Sequence, residues 1–291
     1  MKIKLKFSKG ELFNGALLNV CYNANQFLSL SNSDVNIIDL SDCSWTTPLS
    51  ILPVASLITY KQESNYIVWI KKPKASRTKS YLDIIHFPKG ISKPCEIKKY
   101  KDRNYTPIVY FLNSVSTMRT TENVINCLRG ILTDKIGPVD GLADAITYSI
   151  SEIFNDNIRE HSQSKYGWFS AQYYPTKEYL DMCIVDNGIT IKGSYIAQNI
   201  RVKDDSEAIK LALEGKSSKT EERGFGLRTT KNIITKSLLN GKFLIVSGSA
   251  GYYANKKKQQ FFSLNPYWHG TIVSIRINKV KGRIDIYRYL E

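Results

Sequence analysis

No stretch of about 18 consecutive apolar residues occurs in this 291-residue chain, so no membrane-spanning helix is expected. The opening residues, MKIKLKFSKGELF, alternate lysine with apolar side chains and lack the apolar core of a signal peptide. A strand and a cytoplasmic location are expected instead. Five cysteines (Cys21, Cys43, Cys95, Cys127, Cys183) are scattered, and none sits in a CxxC pair. Neither a zinc site nor a disulfide framework follows, and free thiols in a reducing compartment fit. The pattern GxxxxGK[ST] is absent, which argues against a P-loop.

Hydrophobic residues make up 42% of the chain, enough for a sizeable core, and charged residues 23%. The length suits one large or two ordinary domains. Acidic residues are the scarcer sign, and net charge is +15. Basic clusters fall at 71–79 (KKPKASRTK), 98–103 (KKYKDR) and 256–258. Such a balance attracts nucleic acid, an acidic partner or an anionic surface, or it marks solvated loops. No recognised nucleic-acid motif accompanies it.

Residues 1–7 and 16–21 read as short strands, and 36–40 (NIIDL) as a buried strand. Thr47 before Pro48 is a helix start, with threonine as N-cap and proline at the first helical position. Pro53 inside the following apolar run is expected to kink that helix or move its start. Residues 66–70 (YIVWI) read as another buried strand and 77–87 as a second helix, ended by Pro88. Alternating strands and helices make an α/β pattern. The piece 37–58 (IIDLSDCSWTTPLSILPVASLI) resembles the central strand–loop–helix of STAS domains. In that family the loop often carries an Asp-Ser pair whose serine is phosphorylated. Here Thr47-Pro48 stands in that place, and proline has no hydroxyl. Thr46 and Thr47 are then either acceptors or helix caps.

Residues 107–112 read as a strand, 122–132 as an amphipathic helix, and 138–162 as one long helix. At about 100° per residue, Ile146, Ile150, Ile153 and Phe154 share a buried side with Asn157 and His161. A carboxamide on a greasy face implies a polar group bound there. Two strands follow, 168–174 and 179–185, joined by a turn at 175–178, and the second runs into Asp186-Asn187-Gly188. A helix over 205–214 is capped by aspartate and closed by Gly215. Residues 216–220 (KSSKT), with Ser218 and Lys219, are basic and hydroxyl-rich and suit phosphate contact. Gly224-Phe225-Gly226-Leu227 opens a helix over 227–239, where bare amides can approach an anion, and Arg223 and Arg228 could add charge-assisted contacts. The chain closes with strands over 242–248 and 271–277, joined by an aromatic, lysine-rich excursion over 252–268.

In this order, 150–161 (ISEIFNDNIREH), 186–193 (DNGITIKG), 223–227 (RGFGL) and Gly270-Thr271 resemble the ATP site of the GHKL superfamily. The resemblance spans about residues 120–280. It implies an α/β chain of α+β two-layer sandwich type: a STAS-like domain over 1–104, then a GHKL Bergerat-fold ATPase domain over 105–291, with a lid at about 194–223. It also implies ATP and Mg²⁺ as cofactors. Glu152 becomes the general base or water-orienting group, and Asn157 the Mg²⁺ ligand with His161 beside it. Asp186 would accept from the adenine amino group, Gly188 would leave room for the base, and Thr271 would meet adenine through water. Ser218, Lys219, Arg223, Gly224, Gly226 and Leu227 would line the phosphate side. Two departures stand out. Glu152 lies five residues before Asn157 where the family has four, so either a π-bulge realigns it or it faces away. Thr190 stands where a second glycine is usual, which would narrow the pocket or stiffen the lid entry.

The function implied is an Mg·ATP-binding ATPase or Ser/Thr protein kinase in a regulatory switch, similar to anti-sigma kinase and antagonist pairs merged in one chain. A non-catalytic ATP-gated protein-interaction switch is one alternative, and nucleic-acid binding through the basic loops is another. The partners implied are ATP and a regulatory protein, with a homodimer and nucleic acid left open and no membrane.

Overall fold

The computed structural model describes residues 1–7, 13–112, 117–136, 140–153, 166–216, 226–237 and 241–279. The fold is mixed α/β, with a three-stranded parallel sheet and a five-stranded antiparallel sheet. The first part runs β1 (Lys2–Lys4), α1 (Phe13–Leu28), β2 (Asn36–Asp39), α2 (Pro48–Glu63), β3 (Val68–Lys71), α3 (Ser76–Ile84) and the short α4 (Pro94–Ile97). Its strands pair in parallel in the order β1-β2-β3. The second part runs β4 (Val109–Leu112), α5 (Thr117–Ile131), α6 (Leu142–Glu152), β5 (Tyr166–Tyr174), β6 (Tyr179–Asp186), α7 (Ile191–Ala197), α8 (Asp205–Leu213), α9 (Gly226–Asn232), β7 (Lys242–Asn255) and β8 (Gln259–Asn278). The sheet order is β4-β5-β6-β8-β7. Helices α5 and α9 pass into π-wound turns at Leu132–Ile136 and Ile233–Ser237. Among the described residues no helix is long and apolar enough to cross a membrane.

Local chemistry accounts for several boundaries. Thr47 caps α2, its hydroxyl accepting from the Ser50 amide at 3.3 Å while the Thr47 amide donates to Ser50 Oγ at 2.8 Å. This is a capping box with serine in the usual glutamate position. The hydroxyl of Thr47 is therefore occupied as a helix cap. Proline at the first turn needs no amide partner, and α2 continues through Pro53 to Glu63. The β5–β6 turn is a 3₁₀ turn at Pro175–Lys177, closed by Glu178 at φ 50°. Tyr174 and Tyr179 face each other across it with ring centroids 4.9 Å apart.

Three expectations are corrected. Residues 16–21 are not a strand but part of α1. Ala16, Val20, Ala24 and Phe27 are all buried, a helical spacing that a six-residue window is too short to display. The strand β3 is not buried but lies at a sheet edge, with Trp69 66% exposed. The excursion over 252–268 does not lie between the last two strands but belongs to them: β7 and β8 extend through it as one hairpin, with register shifts at Ser247/Gly248 and Gly248/Ala250, turned by Asn255, whose side chain accepts from the Lys257 and Lys258 amides. The basic run 256–258 sits at that tip.

The five-stranded sheet is covered on both faces. On one face, Leu180, Met182 and Ile184 of β6 and Val273, Ile275 and Ile277 of β8 join Ile146, Ile150 and Ile153 of α6, Val124 and Leu128 of α5, and Leu227 of α9. On the other, Cys183, Val185, Leu244, Val246 and Ile272 share a core with Ile38 of β2, with Leu40 just after it, and with Leu52 and Ile58 of α2. Strand alternation sends successive side chains to opposite layers. The two sheets are thus joined through α1 and α2 by a common apolar core.

Within the second layer one ion pair is deeply buried. Arg276 Nε donates to Asp181 Oδ1 at 2.6 Å and its terminal nitrogen to Oδ2 at 2.7 Å, between adjacent strands. The guanidinium lies 3.8 Å from the Tyr179 ring centroid. Beside it, Tyr174 donates to the Thr46 carbonyl at 3.5 Å, tying the loop before α2 to β5. Removing one partner of such a pair strands a charge. Asp181→Ala should therefore destabilise the protein by roughly 3–5 kcal/mol, whereas the double change Asp181→Leu with Arg276→Met should cost far less. Urea unfolding of the three proteins checks this.

Candidate functional site

The face of the sheet that meets α5, α6 and α9 ends in a polar row. Alternation along β6 places Asp186 on the same face as Leu180, Met182 and Ile184. On β8 it places Thr271 with Val273 and Ile275, and on β7 it places Ser247 with Phe243 and Ile245. Ser247 lies directly opposite Thr271. The three residues therefore cross β6, β8 and β7 as one line of polar groups, all at most 6% exposed.

Asp186 is the last residue of β6 and only 2% exposed. Its Oδ1 accepts from the Gly188 amide at 2.9 Å, and the Thr271 amide also donates to the carboxylate. One feature makes room for it. Gly270 sits at φ 87°, where an added Cβ would fall 2.2 Å from the Asp186 carbonyl oxygen. Only glycine satisfies both the left-handed backbone and that approach. Burial pushes the carboxyl up from 3.8 to about 7, and the Gly188 and Thr271 amides oppose the shift. A carboxylate has about four acceptor positions, and the described residues fill two of them. What remains is hydrogen-bonding capacity in a desolvated place.

Ser247 binds the row together. Its hydroxyl donates to the Gly270 carbonyl at 2.9 Å and accepts from the Ile191 amide at 2.9 Å, and it lies 3.4 Å from Thr271 Oγ1. It thereby connects β7, β8 and the start of α7. Thr190 caps α7 by accepting from the Gly193 amide at 3.1 Å. Where a second glycine was the expected residue, a helix begins, and the threonine hydroxyl is used in starting it. Nearby, Asp205 at the start of α8 accepts from the Ser249 amide at 2.9 Å and from its hydroxyl at 2.7 Å. Gly248, at φ 64°, permits that approach, because a Cβ there would meet the carboxylate.

The helical wall carries further polar groups. Helix α6 buries Ile146, Ile150 and Ile153, the face read from the wheel. Ser149 on α6 and Thr229 and Thr230 on α9 are buried, and their hydroxyls have no partner among the described residues. These two helices touch each other. At Ile153 the winding of the helix is already π-type.

The structure thus brings together Asp186, Gly188 and Thr271 of the expected site residues. Gly226 and Leu227 are buried at the start of α9, and Leu227 packs in the core that holds Ile184. Glu152 closes α6 at its backbone. Its side chain, Asn157, His161, Ser218, Lys219, Arg223 and Gly224 lie outside the described residues, as does the stretch where a π-bulge would realign Glu152. Three contributors escaped the sequence reading: Ser247, the orphan hydroxyls, and Asn187, whose Nδ2 donates to the Ser56 carbonyl of α2 at 3.2 Å. Ser247 and the hydroxyls sit in no motif, since serine on a strand and threonine on a helix are ordinary; Asn187 lies inside the 186–193 motif, but nothing in the sequence shows that its side chain turns to α2. A separate surface cleft of about 770 Å³ lies between α5 and residues 98–102, lined by Lys98, Lys101, Asn123 and Arg129 among others. It does not include the polar row. Comparison with family models, with curated proteins and with solved structures finds no match for this chain.

The raised carboxyl has a consequence for stability. Between its ordinary value and about 7 the folded state holds a proton that the unfolded state has lost, so stability falls as pH rises through that window. Asp186→Asn removes the ionisation. The variant should exceed wild type in unfolding free energy above pH 7 by at most about 4 kcal/mol, with the excess vanishing below about pH 4. Urea titrations at fixed pH values between these limits measure it.

Proposed function

We propose that this chain is an Mg·ATP-binding protein of the GHKL type, acting as an ATPase or Ser/Thr protein kinase within a regulatory switch. The observation that carries the reading is Asp186: a buried carboxylate at a strand end, held by the Gly188 and Thr271 amides, with acceptor positions to spare and glycines on either side. Such a group accepts a hydrogen bond from the exocyclic amino group of adenine, and guanine offers no amino donor at that edge. The donor set fits the purine end of a nucleotide, since Thr271 Oγ1 and Ser247 Oγ stand beside the carboxylate in the same dry row. The GHKL motifs assign Asn157 as the metal ligand, Glu152 as the group that orients water, and the 216–227 segment as the phosphate cradle. Bound Mg²⁺ would supply charge neutralisation at the phosphates.

One observation favours a second reading, in which ATP binds and gates a partner without turnover. Ile153, four residues before Asn157, is buried in the core, so the position from which a GHKL glutamate acts carries an apolar side chain. Glu152 is one residue away from it. The two readings separate on a single assay. Wild type should take up one equivalent of Mg·ADP by calorimetry, and Asp186→Asn should weaken uptake at least tenfold, about the value of one hydrogen bond to a charged group. Phosphate release from Mg·ATP that disappears in Glu152→Ala supports catalysis. Uptake without release supports the gated switch, and no uptake at all removes both.

A further inference from the structure

The residue after the candidate adenine carboxylate points the other way. Asp186 faces the helical layer, whereas Asn187 reaches across to α2 and donates from Nδ2 to the Ser56 carbonyl at 3.2 Å. The two side chains share one peptide, and Gly188, the next residue, returns its amide to Asp186 Oδ1. Residues 186–188 therefore form one small turn, gripped from one side by its own carboxylate and from the other by α2.

Helix α2 is a rigid support. It is buried at ten positions between Pro48 and Ile58 and fixed at its start by the Thr47–Ser50 box. It packs across β5 and β6. The loop leading into it is tied to β5 through Tyr174 and Thr46, and Trp45 packs on the Tyr174 ring at 5.7 Å between centroids. A displacement of the N-terminal layer that moves α2 must either break the Asn187 bond or carry the 186–188 turn with it.

We propose that Asn187 is a positioning residue that couples this turn to α2, so that the N-terminal layer regulates nucleotide uptake within the same chain. The inference rests on the nucleotide reading given above. The donor in Asn187 sets where the Gly188 amide and the Asp186 carboxylate stand relative to the base. Coupling of this kind is reciprocal: nucleotide that orders the turn also steadies α2.

The test uses the full chain, with Mg·ADP as the probe. In wild type, Mg·ADP should slow amide hydrogen exchange in α2 around residues 55–60, a region distant in sequence from every nucleotide motif. Asn187→Ala should bind Mg·ADP roughly tenfold more weakly, and the nucleotide-dependent slowing in α2 should disappear. Asn187→Asp keeps the size and removes the donor. It should behave alike and serves in place of the alanine variant should that variant fail to fold. A purely structural role would lower the melting temperature and leave the ADP response of α2 intact. That outcome, or wild-type uptake of Mg·ADP with unchanged α2 exchange, overturns this inference alone. Absence of uptake by wild type overturns it together with the nucleotide reading.

Discussion

All eight residues of β6 are buried, and everything at the candidate site follows from that burial. The strand pairs with β5 on one side and β8 on the other, so each backbone amide and carbonyl is committed to a neighbour. Its side chains alternate between two apolar layers, so a slip of one residue would exchange the contents of both cores. A strand held this firmly also fixes what comes at its end. Asp186 is the last side chain before the chain turns, and it inherits the dry environment of Leu180, Met182 and Ile184. A carboxylate there is an expensive group to desolvate, which is why its proton is held up to about pH 7. The glycine at 270 follows from the same constraint, since a side chain there would collide with the backbone of Asp186.

The second consequence is that the two layers cannot act independently. The antiparallel sheet is not a surface with one wet face; α1 and α2 cover the side that α5, α6 and α9 do not. The buried Asp181–Arg276 pair and the Tyr174–Thr46 contact stand at this junction, and Asn187 adds a hydrogen bond at the far end of the same strand. The proposed nucleotide site on one face would therefore lie back to back with an α/β layer on the other.

Much of this was legible wherever chemistry is local. Thr47-Pro48 marks a helix start because capping and the missing proline amide act within one turn. The strands over 168–174 and 179–185 are legible because apolar runs and a proline turn are short-range signals, and Asp186-Asn187-Gly188 stands out because a strand running into it leaves the carboxylate at a definite place. Where the reading failed, the deciding contacts are remote. Residues 16–21 pass equally well for a strand or a helix until the buried spacing of Ala16, Val20, Ala24 and Phe27 is seen against α2 and the sheet. The stretch 252–268 hid its alternation because its outward residues are a mixture of glutamine, phenylalanine, serine and tyrosine.

By itself, then, the amino-acid order determined where the chain turns, which segments carry apolar periodicity, and which few polar residues interrupt it. The tertiary structure alone decided that Ser247 would lie opposite Thr271, that the Thr190 hydroxyl would cap a helix, and that Asn187 would reach a carbonyl 131 positions earlier in the chain. The physical reason is separation. Caps, turns and periodicity depend on neighbours within a few residues. A hydrogen bond between strands, or between a strand end and a helix from another layer, exists only after distant segments have been packed against one another.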